Sequence, residues 1–231
     1  MKKSLIFLLV IPVAFILSSC SLYSGEPFEV KESPLYEYFP MPGETTYTYR
    51  VIMDEKPIER ELKWEGTDEP GGQTVHFFTD GKNFTKAYEL TEDAVLLRGI
   101  SLLNQGKVTY YKGDNPCLKL PLEPGAAWSV NAALETETTL IRQTGTAEIV
   151  KMGKHEVGAG TFDSIKVFFN VSSEYQVLRT GEKSVVTAQF FVWYGKGVGL
   201  IRQLGTALVE KENRVIQLKQ ELVQIDPEEG E

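Results

Sequence analysis

Between residues 44 and 225 apolar side chains recur at every second position, in short runs broken by Gly, Asp, Asn and Pro. Tyr47, Tyr49, Val51 and Met53 alternate with polar residues. Just after them Ile58, Leu62 and Trp64 share one face with Arg60, while Glu59, Glu61, Lys63 and Glu65 take the other. A period of two is the mark of half-buried strands. Asp80-Gly81 punctuates a hairpin between strands at 75–79 and 82–90, and Glu92-Asp93 sets off another at 94–99. The longest run, residues 162–178, places Ile165, Val167, Phe169, Val171, Tyr175 and Val177 on one side. Lys166, Asn170, Ser172, Glu174 and Gln176 lie on the other. At ~3.3 Å per residue such a strand exceeds ~50 Å, so it must bend. Residues 185–194 are apolar on both faces, Phe190 and Val192 against Phe191 and Trp193. That pattern predicts a central strand, or one whose outer face the N-terminal segment covers. A last strand at 215–225 buries Ile216, Leu218 and Leu222. No long stretch has a 3.6-residue period. The expected fold is all-β and antiparallel: a strongly curved sheet or open β-barrel-like domain.

One pattern occurs twice. Residues 140–147 and 200–207 both read Leu-Ile-Arg-Gln-x-Gly-Thr-Ala, sixty positions apart. Either a duplicated hairpin or convergent strands would produce it, and in both cases Arg142 and Arg202 should hold equivalent strand positions.

The N-terminus follows a different logic. Met1-Lys2-Lys3 is a positive start, residues 5–17 are an apolar run, and Ser18 and Ser19 precede Cys20. That is the three-part order of a secretory signal, and the apolar run is shorter than the roughly 18 to 20 residues of a membrane span. Leu17-Ser18-Ser19-Cys20 also resembles the lipobox of bacterial lipoproteins. The resemblance implies that residues 1–19 are cleaved and that Cys20 becomes the acylated first residue of the mature chain. Two or three acyl chains, at about 0.8 kcal/mol per buried CH₂, hold a protein to a membrane. Ser21 follows where Asp would mark inner-membrane retention in many two-membrane bacteria. The expected location is the cell envelope: the outer membrane where the source has one, otherwise the outer face of the cytoplasmic membrane. Residues 20–43, with Pro27, Pro34, Pro40 and Pro42, read as a tether. Leu35, Tyr36, Tyr38 and Phe39 should dock its second half onto the domain. Residues 226–231 form an acidic tail.

Charge narrows the partners. The chain has 24 Lys and Arg against 32 Asp and Glu, net −8, and loses Lys2 and Lys3 on processing. Nucleic acid and a polybasic grip on lipid headgroups are both disfavoured. The two cysteines cannot pair once Cys20 is a thioether, which leaves Cys117 as an inert buried thiol without a CxxC or catalytic context. No constellation promises chemistry. His76 sits in a strand, His155 in an expected turn at 153–156, and no convergent metal-ligand spacing accompanies either. No G-x-S-x-G elbow is present. Glu135 and Glu137, on one face of a strand at 128–140, read as solvated carboxylates. Residues 195–199, Gly-Lys-Gly-Val-Gly, lead into a strand and read as a turn, not a phosphate cradle. The sequons at Asn83 and Asn170 carry no weight in a chain of bacterial type. The reading is a non-enzymatic protein without cofactor or metal.

Three further segments, Leu120-Pro-Leu-Glu-Pro-Gly-Ala-Ala-Trp128, Gly158-Ala-Gly-Thr-Phe-Asp-Ser-Ile-Lys-Val167 and Val192-Trp-Tyr-Gly-Lys-Gly-Val-Gly-Leu-Ile201, occur in that order. Together they resemble a family of bacterial envelope lipoproteins and periplasmic proteins of unknown function. Gly158 stands where that family commonly has proline. The resemblance covers roughly residues 117 to 212. It implies a curved antiparallel sheet similar to the half-barrels of lipoprotein carriers, and it transfers no activity or functional residue. Two functions are expected of such a domain: holding an apolar ligand or lipid on the concave face, or presenting a surface, such as a free strand edge, to an envelope protein.

Overall fold

The computed structural model describes residues 33–41, 45–53, 56–81, 84–101 and 107–227. The expected signal segment 1–19, Cys20, the first half of the expected tether, Asn83 and residues 228–231 lie outside these. Within them one helical turn, α1 (Pro34–Tyr38), precedes thirteen strands. These are β1 (Thr45–Met53), β2 (Lys56–Asp68), β3 (Val75–Thr79), β4 (Thr85–Leu90), β5 (Ala94–Ser101), β6 (Val108–Asp114) and β7 (Pro116–Lys119). Then follow β8 (Ala127–Glu135), β9 (Thr139–Val157), β10 (Gly160–Val177), β11 (Lys183–Gly195), β12 (Gly199–Val209) and β13 (Arg214–Pro227).

All pairings are antiparallel, and the sheet closes on itself. From β1 the ring runs through β13, β12, β11, β10, β9, β8, β6, β5, β4, β3 and β2 back to β1. β5 makes closure possible because its free edge is shared: Gly99–Ser101 pairs with β6, while Ala94 and Val95 pair with Lys119 and Leu118 of β7. The fold class expected from the alternation is therefore present, with the ring shut instead of open. Closure also removes the long free edge on which strand addition by a partner would depend. Register shifts at Thr48/Tyr49, Lys166/Val167 and Trp193/Tyr194 insert single extra residues that bend and twist the long strands.

The period-two stripes face inward over most of their length. Ile58 near the start of β2 is 40% exposed, however, and Ile216 and Leu218 of β13, expected to be buried, are half-buried towards that strand's exposed start. Ile165, Val167, Phe169 and Val171 of β10, Val192 and Tyr194 of β11, and Leu222 of β13 are buried. Tyr175 and Val177 continue the β10 stripe but are 37% and 40% exposed, because the β10–β11 hairpin runs past the packed part of the barrel. Two buried side-chain bonds tie distant strands: the Tyr49 hydroxyl donates to the Leu200 carbonyl at 2.7 Å, and Trp128 Nε1 donates to the Pro116 carbonyl at 3.1 Å. Gly158 lies in the β9–β10 turn, where Ala159 N donates to the Leu222 carbonyl at 3.2 Å.

α1 stops one end of the barrel. Ser33 caps it by accepting from Leu35 N at 3.2 Å, and Pro34 supplies the fixed φ of a first helical position. The Glu37 carbonyl accepts from Gly197 N at 2.6 Å, and Glu37 pairs with Lys196 at 2.9 Å. Gly197, at φ 81°, is the turn residue that presents this N–H, so residues 195–199 are a turn as expected. Leu35, Phe39 and Met41 are buried, at roughly 1.5–3 kcal/mol for each such side chain. The docking expected of the segment's apolar residues is observed. Helical phi/psi angles over five residues replace the extended run its prolines suggested.

Candidate functional site

The polar residues weighed in the sequence do not converge. Glu135 ends β8, where Lys112 pairs with it at 3.3 Å, and Glu137 lies in the following turn. The expected strand at 128–140 is thus a hairpin, broken because the Thr136 hydroxyl accepts from Thr138 N and Thr139 N and holds the chain in a turn. His155 belongs to β9, not to a turn, since that strand continues to Val157. Its ring stacks on Trp193 at 4.9 Å, with Nε2 3.4 Å from Arg202 Nη1. His76 is half-buried in β3, and its Nδ1 has no partner among the described residues. Burial holds both histidines below the ordinary imidazole range, with Arg202 adding to the effect at His155. Asn170 lies exposed on β10, its amide oxygen 3.4 Å from Gln189 Nε2. Among the described residues no group of three His, Cys, Asp or Glu could hold a metal ion. No helix among them is long and apolar enough to cross a membrane.

Of the two arrangements expected for residues 185–194, the central strand is the one present: β11 pairs with β10 on one side and β12 on the other. Trp193 points outward yet is only 8% exposed. Among the described residues, side chains of neighbouring strands cover it: His155 lies on its ring, and Lys166 Nζ and Arg202 Cζ sit 4.8 Å and 5.6 Å from the ring centre. Long cationic side chains cover an aromatic surface with their stems and their charge.

What does converge lies inside the ring. A cavity of about 180 Å³ is lined by Phe169, Phe190, Val171 and Val192 on the long-strand side and by Leu97, Tyr111 and Cys117 opposite. Phe39 and Tyr194 form its floor beside α1. Phe190 and Phe169 stack at 5.0 Å, which keeps that wall flat. Polar groups enter the wall at a few points. Gln143 and Gln203, the glutamines of the two repeats, both face inward. Asn115 Nδ2 donates to Gln143 Oε1 at 3.2 Å. The thiol of Cys117 is in hydrogen-bond contact with the Tyr194 hydroxyl, and burial pushes it up to about 11. It is therefore protonated near neutrality and a poor nucleophile. Burial raises Tyr88 and Tyr194 well above the usual phenol range, so they are neutral too.

Lys86 is the one charged residue in this lining. It shares an inward register with Tyr88 and also lines a smaller recess of about 20 Å³ against Trp64 and Phe78. Its Nζ sits 5.4 Å from the Phe84 ring centre, and Arg60 Cζ lies 4.8 Å from the same centre. Arg60 has Asp80 at 4.0 Å. Among the described residues Lys86 has no carboxylate within ion-pair distance. Burial, and after it the charge of Arg60, lowers its pKa, while Cys117 acts in the opposite direction. The alternation left a signal for it: Phe84, Lys86, Tyr88 and Leu90 share one face, so a cation stands at a core position. Asn115 gave no such signal, because its place in the wall depends on how β5 divides its edge between β6 and β7.

No family model and no curated protein matches the chain. Among solved structures it is similar to a protein provisionally described as a lipoprotein from Parabacteroides distasonis ATCC 8503. That likeness has TM-score 0.47 and 14% identity, over 82% of this chain and 98% of the other. It is likewise similar to a provisionally described exported protein with a YmcC-like fold from Bacteroides fragilis NCTC 9343. There the TM-score is 0.47 and the identity 14%, over 80% of this chain and 97% of the other. Both likenesses are weak and assign no residue or function.

Proposed function

We propose that this chain is a bacterial lipoprotein, anchored through acyl groups on Cys20, whose barrel is a non-enzymatic binding module for a small molecule with an apolar body. The observation that carries the binding module is the cavity of about 180 Å³ between the long strands and β4–β7, walled by aromatic and aliphatic side chains. Sites for small molecules are concave and largely apolar, with a few placed polar groups. A non-enzymatic role is supported by the protonated Cys117 thiol and by the solvated positions of Glu135 and Glu137. The anchor is supported by the order of charged, apolar and small residues before Cys20. The thirteen residue-to-residue steps from Cys20 to Ser33 span at most about 45 Å, which limits how far α1 can stand from the anchor.

Each half of the proposal has its own test. Cells expressing the full chain and its Cys20→Ala variant are fed labelled palmitate and fractionated. The expected result is label and membrane association for the parent, neither for Cys20→Ala, and no change for Cys117→Ala. Palmitate in the Cys20→Ala protein would refute the anchor. Native mass spectrometry of the purified protein tests the cavity, and the expected result is a copurified small molecule released by denaturation. A protein that carries nothing and takes up no apolar probe at micromolar concentration refutes the binding module.

The second reading is a protein-interaction surface, and one observation favours it. Tyr175, Val177 and Leu178 stand exposed together at the β10–β11 hairpin. In-cell crosslinking from Tyr175 tests it, and reproducible recovery of no envelope protein would exclude it.

A further inference from the structure

We infer that the cavity takes a small anionic amphiphile, its carboxylate set against Lys86 and its apolar body against the Phe169–Phe190 wall. The inference rests on the binding-module reading above and narrows the chemistry of the same site.

The first argument is the missing counter-charge. Lys86 is half-buried and lines both the cavity and the adjoining recess, with its Nζ 5.4 Å from the Phe84 ring centre. An ammonium group drawn partly out of water favours a nearby counter-charge, and charges in folded interiors are ordinarily paired. Its charged neighbour is another cation, Arg60, for which Asp80 is at hand. No Asp or Glu lines the cavity or the adjoining recess. A bound anion would supply the absent partner and favour the protonated amine. A neutral ligand would leave the amine unpaired.

The second argument is the placement of neutral hydrogen-bonding groups. Gln203 faces the cavity from β12 and has no hydrogen-bond partner among the described residues, and Asn115 and Gln143 face it from the far wall. A carboxylate has about four lone-pair sites. Lys86 can serve one and amide N–H groups can serve others, a division of labour that a purely hydrophobic pocket lacks.

The third argument is size. An apolar cavity of about 150 Å³ binds benzene. At about 180 Å³ this one admits an aromatic ring or a short alkyl chain, and is too small for a full membrane acyl chain. Within the apolar ligand or lipid expected from the sequence, the size favours a small acid. The core is mostly filled, because Phe39, Phe169, Phe190 and Tyr194 project into the ring.

Phenylacetate and phenylacetamide share a body and differ in charge, so they separate the two questions. Both are titrated by calorimetry into the full-length lipidated protein in dodecyl maltoside micelles at pH 7, with empty micelles as the blank. The expected result is phenylacetate binding at least tenfold tighter than phenylacetamide. In Lys86→Met that preference falls to less than threefold while phenylacetamide still binds, and in Lys86→Arg it persists. Equal affinities in the parent protein, or an undiminished preference in Lys86→Met, overturn the inference and leave the binding module standing. Absence of binding by both probes overturns the inference and the binding module together. Circular dichroism reports whether Lys86→Met folds, and if it does not, the paired titration of the parent protein decides alone.

Discussion

Residues 140–147 and 200–207 carry the same octapeptide pattern, and the fold sets them on opposite sides of the β10–β11 hairpin, one in β9 and one in β12. In both, the glutamine points into the cavity, the arginine outward, and the terminal alanine is buried. In both, the glycine lies against the backbone of the neighbouring strand. A Cβ on Gly145 would meet Val171 Cα at 2.7 Å and overlap the Asn170 carbonyl oxygen. A Cβ on Gly205 would overlap the Gln189 carbonyl oxygen and Phe190 Cα. The arginines then part company. Arg142 stands in solvent and pairs with Glu174 at 3.3 Å, whereas Arg202 lies over Trp193 with its Nε buried and without a partner. A shared pattern fixes orientation and backbone approach, because these depend on the strand itself. It does not fix environment, because that depends on what the next strand presents.

The largest expected effect tests the common element. Gly145→Val and Gly205→Val each force a side chain into adjacent backbone, at a cost of about 3 kcal/mol or more, read as a fall in the urea midpoint. If either is tolerated within about 0.5 kcal/mol, the two glycines are not equivalent. Next comes the divergence of the arginines. Arg202→Ala uncovers Trp193 and should cost about 1–2 kcal/mol. Arg142→Ala loses only an exposed pair, in which Lys183 also holds Glu174 at 3.1 Å, and should cost at most about 0.5 kcal/mol. Equal losses would show that the outward faces are more alike than their neighbours suggest.

The glutamines should differ less. Gln143→Leu strands the Asn115 amide and should cost about 1 kcal/mol, while Gln203→Leu breaks no bond described here and should be close to neutral. The smallest effect concerns pH. His155 is held below its unfolded value, so it stays neutral in the fold while the unfolded chain gains a proton. Stability is therefore full above about pH 6.5 and declines as pH falls toward the lowered folded value. Arg202, Lys166 and Lys151 face His155 and sharpen the decline, and Glu221 opposes it. Between pH 7 and 5, Arg202→Met should flatten the curve relative to the parent, and Arg142→Met should leave it unchanged. His76 supplies the remainder.

The same contrast explains what could be read from residues alone. Alternation identifies strands wherever one face meets the core, so the stripes of β1, β2 and β10 and the Asp80-Gly81 hairpin are visible directly. The apolar Leu35 and Phe39 within a proline-rich segment likewise announce their burial. Closure is not visible, since it follows from β1 pairing with β13 and from β5 serving two partners, and no local pattern encodes either. The cavity inherits that opacity. Lys86 leaves a faint signal, a cation at a core position in an apolar run, which strand alternation alone does not single out. The repeat draws attention to its arginines more than to Gln143 and Gln203. Their common destination leaves no signal, because it is set by strands far apart in the chain. The turn at Thr136–Thr138 was missed because threonines favour strands, and here their hydroxyls bind the backbone instead.

The seam between β1 and β13 governs how the molecule is made. Thr45 lies opposite Pro227 and Ile52 opposite Lys219, so strands from the two ends of the domain lie side by side. Contacts of such separation are slow to form, since loop-closure entropy must be overcome before they return any energy. Hairpins such as β9–β10 and β10–β11 can zip locally and early. β1 and β2 must wait with an unpaired edge until β13 has emerged. The meeting of that edge with β13 is therefore expected to be slow, and removing β13 would leave the edges of β1 and β12 unpaired, which favours association between chains.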